Sequence, residues 1–377
     1  MRDVRTRVLL GVLALVSLVA VFTTRVARKM PDFEVYYTAG ARAAAAEPLY
    51  RESDGHYQFK YLPAFALFAA PVAKLPLAAA KGVWFAASSV LMIVLLGLSL
   101  KTMPEFRRPA VMLLVLTFLA MAKFYAHELV LGQVNLLFGV IVTLALVLMR
   151  ARRDAEAGLL LALAVVVKPY AVIFVPWLAA RRNRAALVTM VAGMALFLAL
   201  PAVRYGWNGN IAQLRDWWQT VTATTAPNLM NPDNVSLSAM FTKWLGPDSP
   251  AGRLAAVASA VLLVVAAVVI AARGALPSAD TLDAALLLLL IPLLSPQGWD
   301  YVFLIGTPAV MLLINYLSSL PRGLRYATIA AVAGVALSIF DLMGREAYTR
   351  FMQLSVITLL VIVEIAALAA LRFRRVA

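Results

Sequence analysis

Residues 158–180 read GLLLALAVVVKPYAVIFVPWLAA. The stretch is 23 residues long, and a helix needs about 20 apolar residues to cross the hydrocarbon core of a bilayer. Its single charge, Lys168, lies at the middle and is followed by Pro169. Arginine clusters stand on both sides, Arg150/Arg152/Arg153 before it and Arg181/Arg182/Arg184 after it. Loops rich in Arg and Lys stay on the cytoplasmic side of a membrane, so both clusters belong on the same side. A single span would put one cluster outside and hold Lys168 near the midplane. Two half-helices meeting at Lys168-Pro169 keep both clusters inside, and Pro169 supplies the reason for the backbone to break. We read the stretch as a re-entrant hairpin.

The rest of the 377-residue chain has the same character. Hydrophobic residues make up 63% and charged residues 14%, with a mean hydropathy of +0.86. A soluble protein carries about 25% charged residues, so the two or three soluble domains that length alone suggests are excluded. Apolar runs recur at 8–23, 62–75, 79–100, 109–126, 129–149, 158–180, 185–203, 254–272, 282–294, 302–317, 326–342 and 354–371. No alternating strand pattern competes, and helices satisfy the backbone in lipid. The expectation is one all-α polytopic membrane domain over residues 1–377, a bundle of about 10–12 transmembrane helices with re-entrant half-helices. The first run follows a basic start, but Thr24-Arg25-Val26 is a poor cleavage site, so it reads as a retained helix.

The net charge of +15 raises the question of nucleic acid. The cations instead sit in clusters beside apolar runs, such as Arg2/Arg5/Arg7 and Arg372/Arg374/Arg375, which is a topology signal. No nucleic-acid partner is expected. There is no cysteine, which excludes a disulfide framework or a thiolate site. Two histidines without a His/Glu cluster argue against a dedicated metal site, and no cofactor is expected. Alternating the loops back from Arg372/Arg374/Arg375 puts Arg322/Arg325 and Arg273 inside. It leaves the loops 24–61, 204–253 and 297–300 outside. The run 62–75 carries Pro63 and Pro71 and precedes Pro76, so it is the one expected not to cross. Arg25, Arg28 and Lys29 stand in the first outer loop against the charge bias.

Most polar residues that topology does not explain fall on that outer face. Pro31-Asp32 suits the start of a juxtamembrane helix, with Phe33, Tyr36, Tyr37 and Gly40 on one face at helical spacing. Asp32 has two readings, a cap or a general base for an attacking alcohol. Lys168 inside an apolar run is a functional candidate by default, with a lipid phosphate as natural partner and snorkelling as the alternative. Gln133 and Asn135 suit either sugar hydroxyls or helix–helix contacts. Trp299, in the polar break Ser295–Tyr301, suits either a sugar face or the aromatic belt. His56 and Lys60 precede Tyr61-Leu62-Pro63 and can meet anionic headgroups. Arg215–Gln219 reads as an interfacial helix.

In order, the chain shows Asp32-Phe33-x-Val35-Tyr36-Tyr37-x-Ala39-Gly40, Leu49-Tyr50 and Tyr61-x-Pro63. Gly132-Gln133-Val134-Asn135, Gly158–Leu163 with Lys168-Pro169, and Ser295-Pro296-x-x-Trp299-Asp300 follow. From Pro31 to Tyr301 this resembles glycosyltransferase family 87, the polyprenol-phosphate-mannose-dependent mannosyltransferases of the GT-C superfamily. The resemblance implies a GT-C-like membrane enzyme that uses a polyprenyl-phosphate-linked sugar donor. The acceptor would be a lipid or glycan hydroxyl, reached at the outer face of the plasma membrane among membrane lipids. It implies Asp32 as the catalytic residue and Lys168, Lys60 and His56 as donor-phosphate contacts. Tyr36, Gln133, Asn135, Trp299 and Asp300 would contact sugar or acceptor. Two departures stand out: Leu62 replaces the first proline of Tyr-Pro-Pro, and Tyr301 replaces a histidine after Trp-Asp. A transporter or lipid flippase built on the broken helix is the competing function, and an inactive scaffold the third.

Overall fold

The computed structural model describes residues 11–13, 16–272 and 279–373. The expectations resting on Arg2/Arg5/Arg7, Arg273, Arg374 and Arg375, and on the start of the first apolar run, lie outside these residues. Among the described residues 81% are helical and no strand occurs. The chain is an all-α polytopic membrane protein. Gly11–Val26 (α1) turns by 85° into Pro31–Ala45 (α2), and Pro63–Ala69 (α3) packs against α2. Leu77–Lys101 (α4), Ala110–Leu131 (α5) and Asn135–Arg150 (α6) follow. Asp154–Val167 (α7), Pro169–Ala180 (α8) and Arg184–Ala199 (α9) come next. Then α9 turns by 90° into Ala202–Ala223 (α10). The chain continues through Leu237–Leu245 (α11), Ala251–Ala271 (α12), Ala279–Leu294 (α13) and Asp300–Ser319 (α14). Arg322–Leu337 (α15), Arg345–Gln353 (α16) and Val356–Phe373 (α17) complete it.

Among the described residues five helices, α4, α5, α12, α14 and α17, are long and apolar enough to span a membrane, and the two bent pairs raise the number to seven. This is fewer than the ten to twelve expected from apolar runs. The difference lies in helices such as α6, α13 and α15, each 16 residues long. At 1.5 Å per residue they reach only about 24 Å, short of the roughly 30 Å core. One run also divides differently from expectation. Residues 129–131 belong to the last turn of α5, and Gly132–Val134 separate it from α6.

The stretch 158–180 doubles back as its charges require. Helix α7 ends at Val167, Lys168 is extended (φ −147°, ψ 119°), and a tight turn of helix restarts at Pro169. Asp154 and Asn183, at the two ends of the hairpin, are hydrogen-bonded at 2.8 Å. Helix α7 packs along α9 in the same direction. A Cβ on Gly158 would lie 2.2 Å from the Ala186 carbonyl oxygen, and one on Gly193 would lie 2.8 Å from the Ala162 Cβ. Two successive helices run parallel only when the segment between them, α8, runs back.

The Arg clusters therefore share one end of the bundle. Arg150 bonds the Thr102 carbonyl, and Thr281 bonds the same oxygen at 3.3 Å. Fully buried Asp283 takes Arg372 at 2.9 Å and Arg181 at 3.2 Å, joining the ends of α8, α13 and α17. At the opposite end, α10 ties together the segments read as outer loops. Leu49 N–H donates to Gln213 Oε1 at 3.2 Å, Trp217 Nε1 to the Lys60 carbonyl at 3.1 Å, and Gln297 Nε2 to the Val221 carbonyl at 3.3 Å.

Because the chain has no cysteine, the hairpin can be tested by single-cysteine labelling. Arg152→Cys and Arg182→Cys are expected to react with an impermeant maleimide from the same side of a sealed vesicle, and Tyr57→Cys from the other. Labelling of the two arginine positions from opposite sides would rule out the hairpin.

Candidate active site

Four interruptions of helix meet at the end of the bundle opposite the Arg clusters. The first is the left-handed Met30 (φ 67°), whose N–H bonds the Val130 carbonyl at 3.0 Å. The second is Gly132 (φ +69°), where any Cβ would fall 2.7 Å from that of Phe33. Only glycine serves there, both for the backbone angle and for the approach of α2. The third is Lys168-Pro169, and the fourth is Ser295–Trp299 between α13 and α14. Around them lies a cavity of about 780 Å³, roofed by Trp217, Trp218 and Thr222 of α10. A second cavity of about 570 Å³ adjoins it across the first turn of α2, sharing Pro31, Val35, Tyr57 and Leu131 and adding Arg28, Lys29 and Glu34.

Seven of the nine residues singled out from sequence line the first cavity: Asp32, Tyr36, His56, Lys60, Gln133, Lys168 and Trp299. Asp32 sits in the first turn of α2 but makes no capping bond; its Oδ2 accepts from Gln133 Nε2 at 2.9 Å. Burial pushes its carboxyl above the ordinary value, while the Gln133 bond and the charges of Lys168, His127 and Lys60 pull it back. Lys168 is 6% exposed. Its ammonium lies 5.7 Å from the ring centres of both Tyr61 and Tyr170, with no carboxylate in ion-pair contact among the described residues. Aromatic faces stabilise a cation only in part, so this ammonium is suited to an incoming anion. Lys60 stands nearby, its Nζ 3.5 Å from Gln297 Oε1. Burial lowers its affinity for a proton and Asp32 opposes that.

Asn135 and Asp300 do not line the cavity. Asn135 is fully buried and donates to Glu128 Oε2 at 2.7 Å, while Glu128 Oε1 accepts the Leu136 N–H at 2.9 Å. The pair closes the α5–α6 turn. Asp300 is also fully buried, 3.3 Å from Lys123 Nζ and 3.4 Å from His127 Nδ1. Both therefore sit one layer beneath the cavity, Asn135 held by the Glu128 carboxylate and Asp300 facing the Lys123 ammonium and the His127 ring. Among the further lining residues, His127, Tyr61, Asp233 and Tyr301 have no role at the site in the sequence reading. His127 packs edge-on against Tyr301, the residue standing in the expected histidine's place, with ring centres 5.1 Å apart. The imidazole absent after Trp299-Asp300 is thus supplied from α5, beside the same aspartate. Asp233 is brought in when Asn234 bridges to Trp299 and the Asp233 carbonyl accepts from Asp300 N–H at 2.9 Å. Burial and the neighbouring Asp300 push the Asp233 carboxyl up.

The cavity thus brings a carboxylate, two lysines and an aromatic wall together within a membrane protein. The sequence model of glycosyltransferase family 87 matches residues 59–296, more than half of the chain, and the chain belongs to that family. It is accordingly a membrane glycosyltransferase. The match includes Lys60, Gln133, Asn135 and Lys168; Asp32, Tyr36, His56, Trp299 and Asp300 lie outside it. No curated protein and no solved structure matches the chain.

Removing Asp300 leaves Lys123 without its buried counter-charge. Breaking a pair of this kind costs about 3–5 kcal/mol. Asp300→Ala is expected to lower the thermal unfolding midpoint clearly in detergent. The double variant Lys123→Met/Asp300→Leu is expected to recover part of the loss.

Proposed function

We propose that the protein transfers a hexose, mannose in our reading, from a polyprenyl-phosphate donor to a hydroxyl of a lipid or glycan acceptor. The Arg-rich end faces the cytoplasm by the charge bias, so the cavity opens at the outer face of the plasma membrane. The observation that carries this reading is the presence, in one cavity, of the half-buried Asp32 carboxylate and the Lys168 ammonium, which has no carboxylate in direct ion-pair contact among the described residues.

The chemistry follows from those two groups. The acceptor oxygen forms a bond to the anomeric carbon as its proton passes to Asp32. The bond from that carbon to the phosphate oxygen breaks, and the phosphate keeps the electron pair. A phosphate is already a good leaving group, so what it needs is charge stabilisation more than an acid. Lys168, Lys60 and His56 supply it, and Trp299 and Tyr36 flank the sugar. The second cavity gives the acceptor its own approach to the turn that carries Asp32. The large donor cavity and the adjoining one accommodate two substrates more naturally than the single site of a transporter.

Purified protein incubated with radiolabelled polyprenyl-phosphate sugars and candidate acceptors is expected to transfer hexose. A positioned base contributes about 10²–10⁴-fold, so Asp32→Asn should lower kcat/KM by at least about 100-fold. Asparagine still accepts from Gln133, so expression and insertion should hold. Full activity in Asp32→Asn would overturn the assignment of the base. Uptake by proteoliposomes without any transfer would favour transport instead. Lys168→Met is expected to cost about 10²–10³-fold, the scale for losing one group that stabilises developing negative charge.

A further inference from the structure

Five polar groups converge on the side-chain amide of Gln133. The Val134 backbone N–H lies 3.3 Å from one amide atom. A backbone N–H can only donate, so that atom is the carbonyl oxygen. The same oxygen takes Tyr36 OH at 2.8 Å and Tyr61 OH at 3.2 Å, and those two hydroxyls are 2.7 Å apart. With the oxygen satisfied, the NH₂ must point the other way, to Asp32 Oδ2 at 2.9 Å and Tyr301 OH at 3.3 Å.

We propose that Gln133 is a positioning residue, whose locked amide holds Asp32 as a carboxylate and leaves its Oδ1 to take the acceptor proton. This deepens the reading of Asp32 as base and rests on it. An amide N–H donates and cannot accept, so it favours the charged form of the carboxyl, and such charge-assisted bonds are the strong ones. Burial works against that form at Asp32, and the Gln133 bond opposes it. The other groups facing Asp32 are Lys168 from the hairpin, His127 from α5 and Lys60 from the first loop, with the hydroxyls of Tyr36, Tyr61 and Tyr301. Burial pushes Tyr36 and Tyr61 well above their ordinary value, so both stay protonated; one proton joins the two hydroxyls and the other reaches the amide oxygen, which keeps the amide in register. Asp32 Oδ1 has no hydrogen-bond partner among the described residues, which leaves it open to substrate.

Carbodiimides react with protonated carboxyls, so labelling of Asp32 read by peptide mass spectrometry across pH follows its proton without any sugar substrate. Gln133→Ala removes the donor. Gln133→Glu keeps the shape but sets an oxygen against Asp32, and it carries the test if the alanine variant fails to insert. A hydrogen bond to a charged group corresponds to about one pH unit or more. Both variants are therefore expected to raise the labelling midpoint by that much, and the acidic limb of the transfer profile should move with it. An unchanged midpoint in the full-length inserted protein would overturn the inference. Activity of Asp32→Asn tests the base separately: if that variant is inactive and the Gln133 midpoints are unmoved, only the role of Gln133 fails.

Discussion

Backbone that leaves a helix inside a bilayer must find its hydrogen bonds in protein or in a water-lined cavity. Here the interruptions at Met30, Gly132, Lys168 and Ser295 are gathered at one end of the bundle, where Met30 N–H bonds the Val130 carbonyl beside Gly132 and α10 closes over the cavity. The cavity is what remains between them. Each break also delivers a polar side chain that a continuous helix would have kept in line with its neighbours: Asp32, Gln133, Lys168 and Trp299.

Charge is distributed by the same logic. At the Arg-rich end, Asp283 is matched by Arg181 and Arg372 and serves as a joint between helix ends. At the cavity end, Asp300 is matched by Lys123 and His127, while Lys168 lies between the rings of Tyr61 and Tyr170 without a direct ion pair among the described residues. Buried charges are costly unless paired. Lys168 is thus a buried cation that borders the cavity without a direct ion pair among the described residues. The family supplies the class of reaction, glycosyl transfer.

Much of this was legible in the chain itself. The doubling back at Lys168-Pro169 follows from two local facts, a proline and arginines on both flanks. The failure of residues 62–75 to cross follows from their prolines, and α3 is seven residues long. Asp32, Lys60, His56, Tyr36 and Trp299 stood out because polar or interfacial residues are conspicuous beside apolar runs. Asn135 and Asp300 stood out for the same reason and lie beneath the cavity, because conspicuousness in sequence does not say which neighbours a side chain meets. His127 escaped because its role depends on Asp300 and Tyr301, more than 170 positions away.

The sequence by itself determined the all-α membrane architecture, the shared end of the Arg clusters that flank the hairpin and the site of the broken helix. These depend on hydropathy, charge bias and proline, which act within a turn or two. Only the tertiary structure decided what Gln133 does. Its amide meets Tyr36 across 97 residues and Asp32 across 101, and the direction of an amide is set by the donors around it. The hairpin of residues 158–180 shows both sides: its fold is written in its own letters, and the partner of its lysine is left to the cavity.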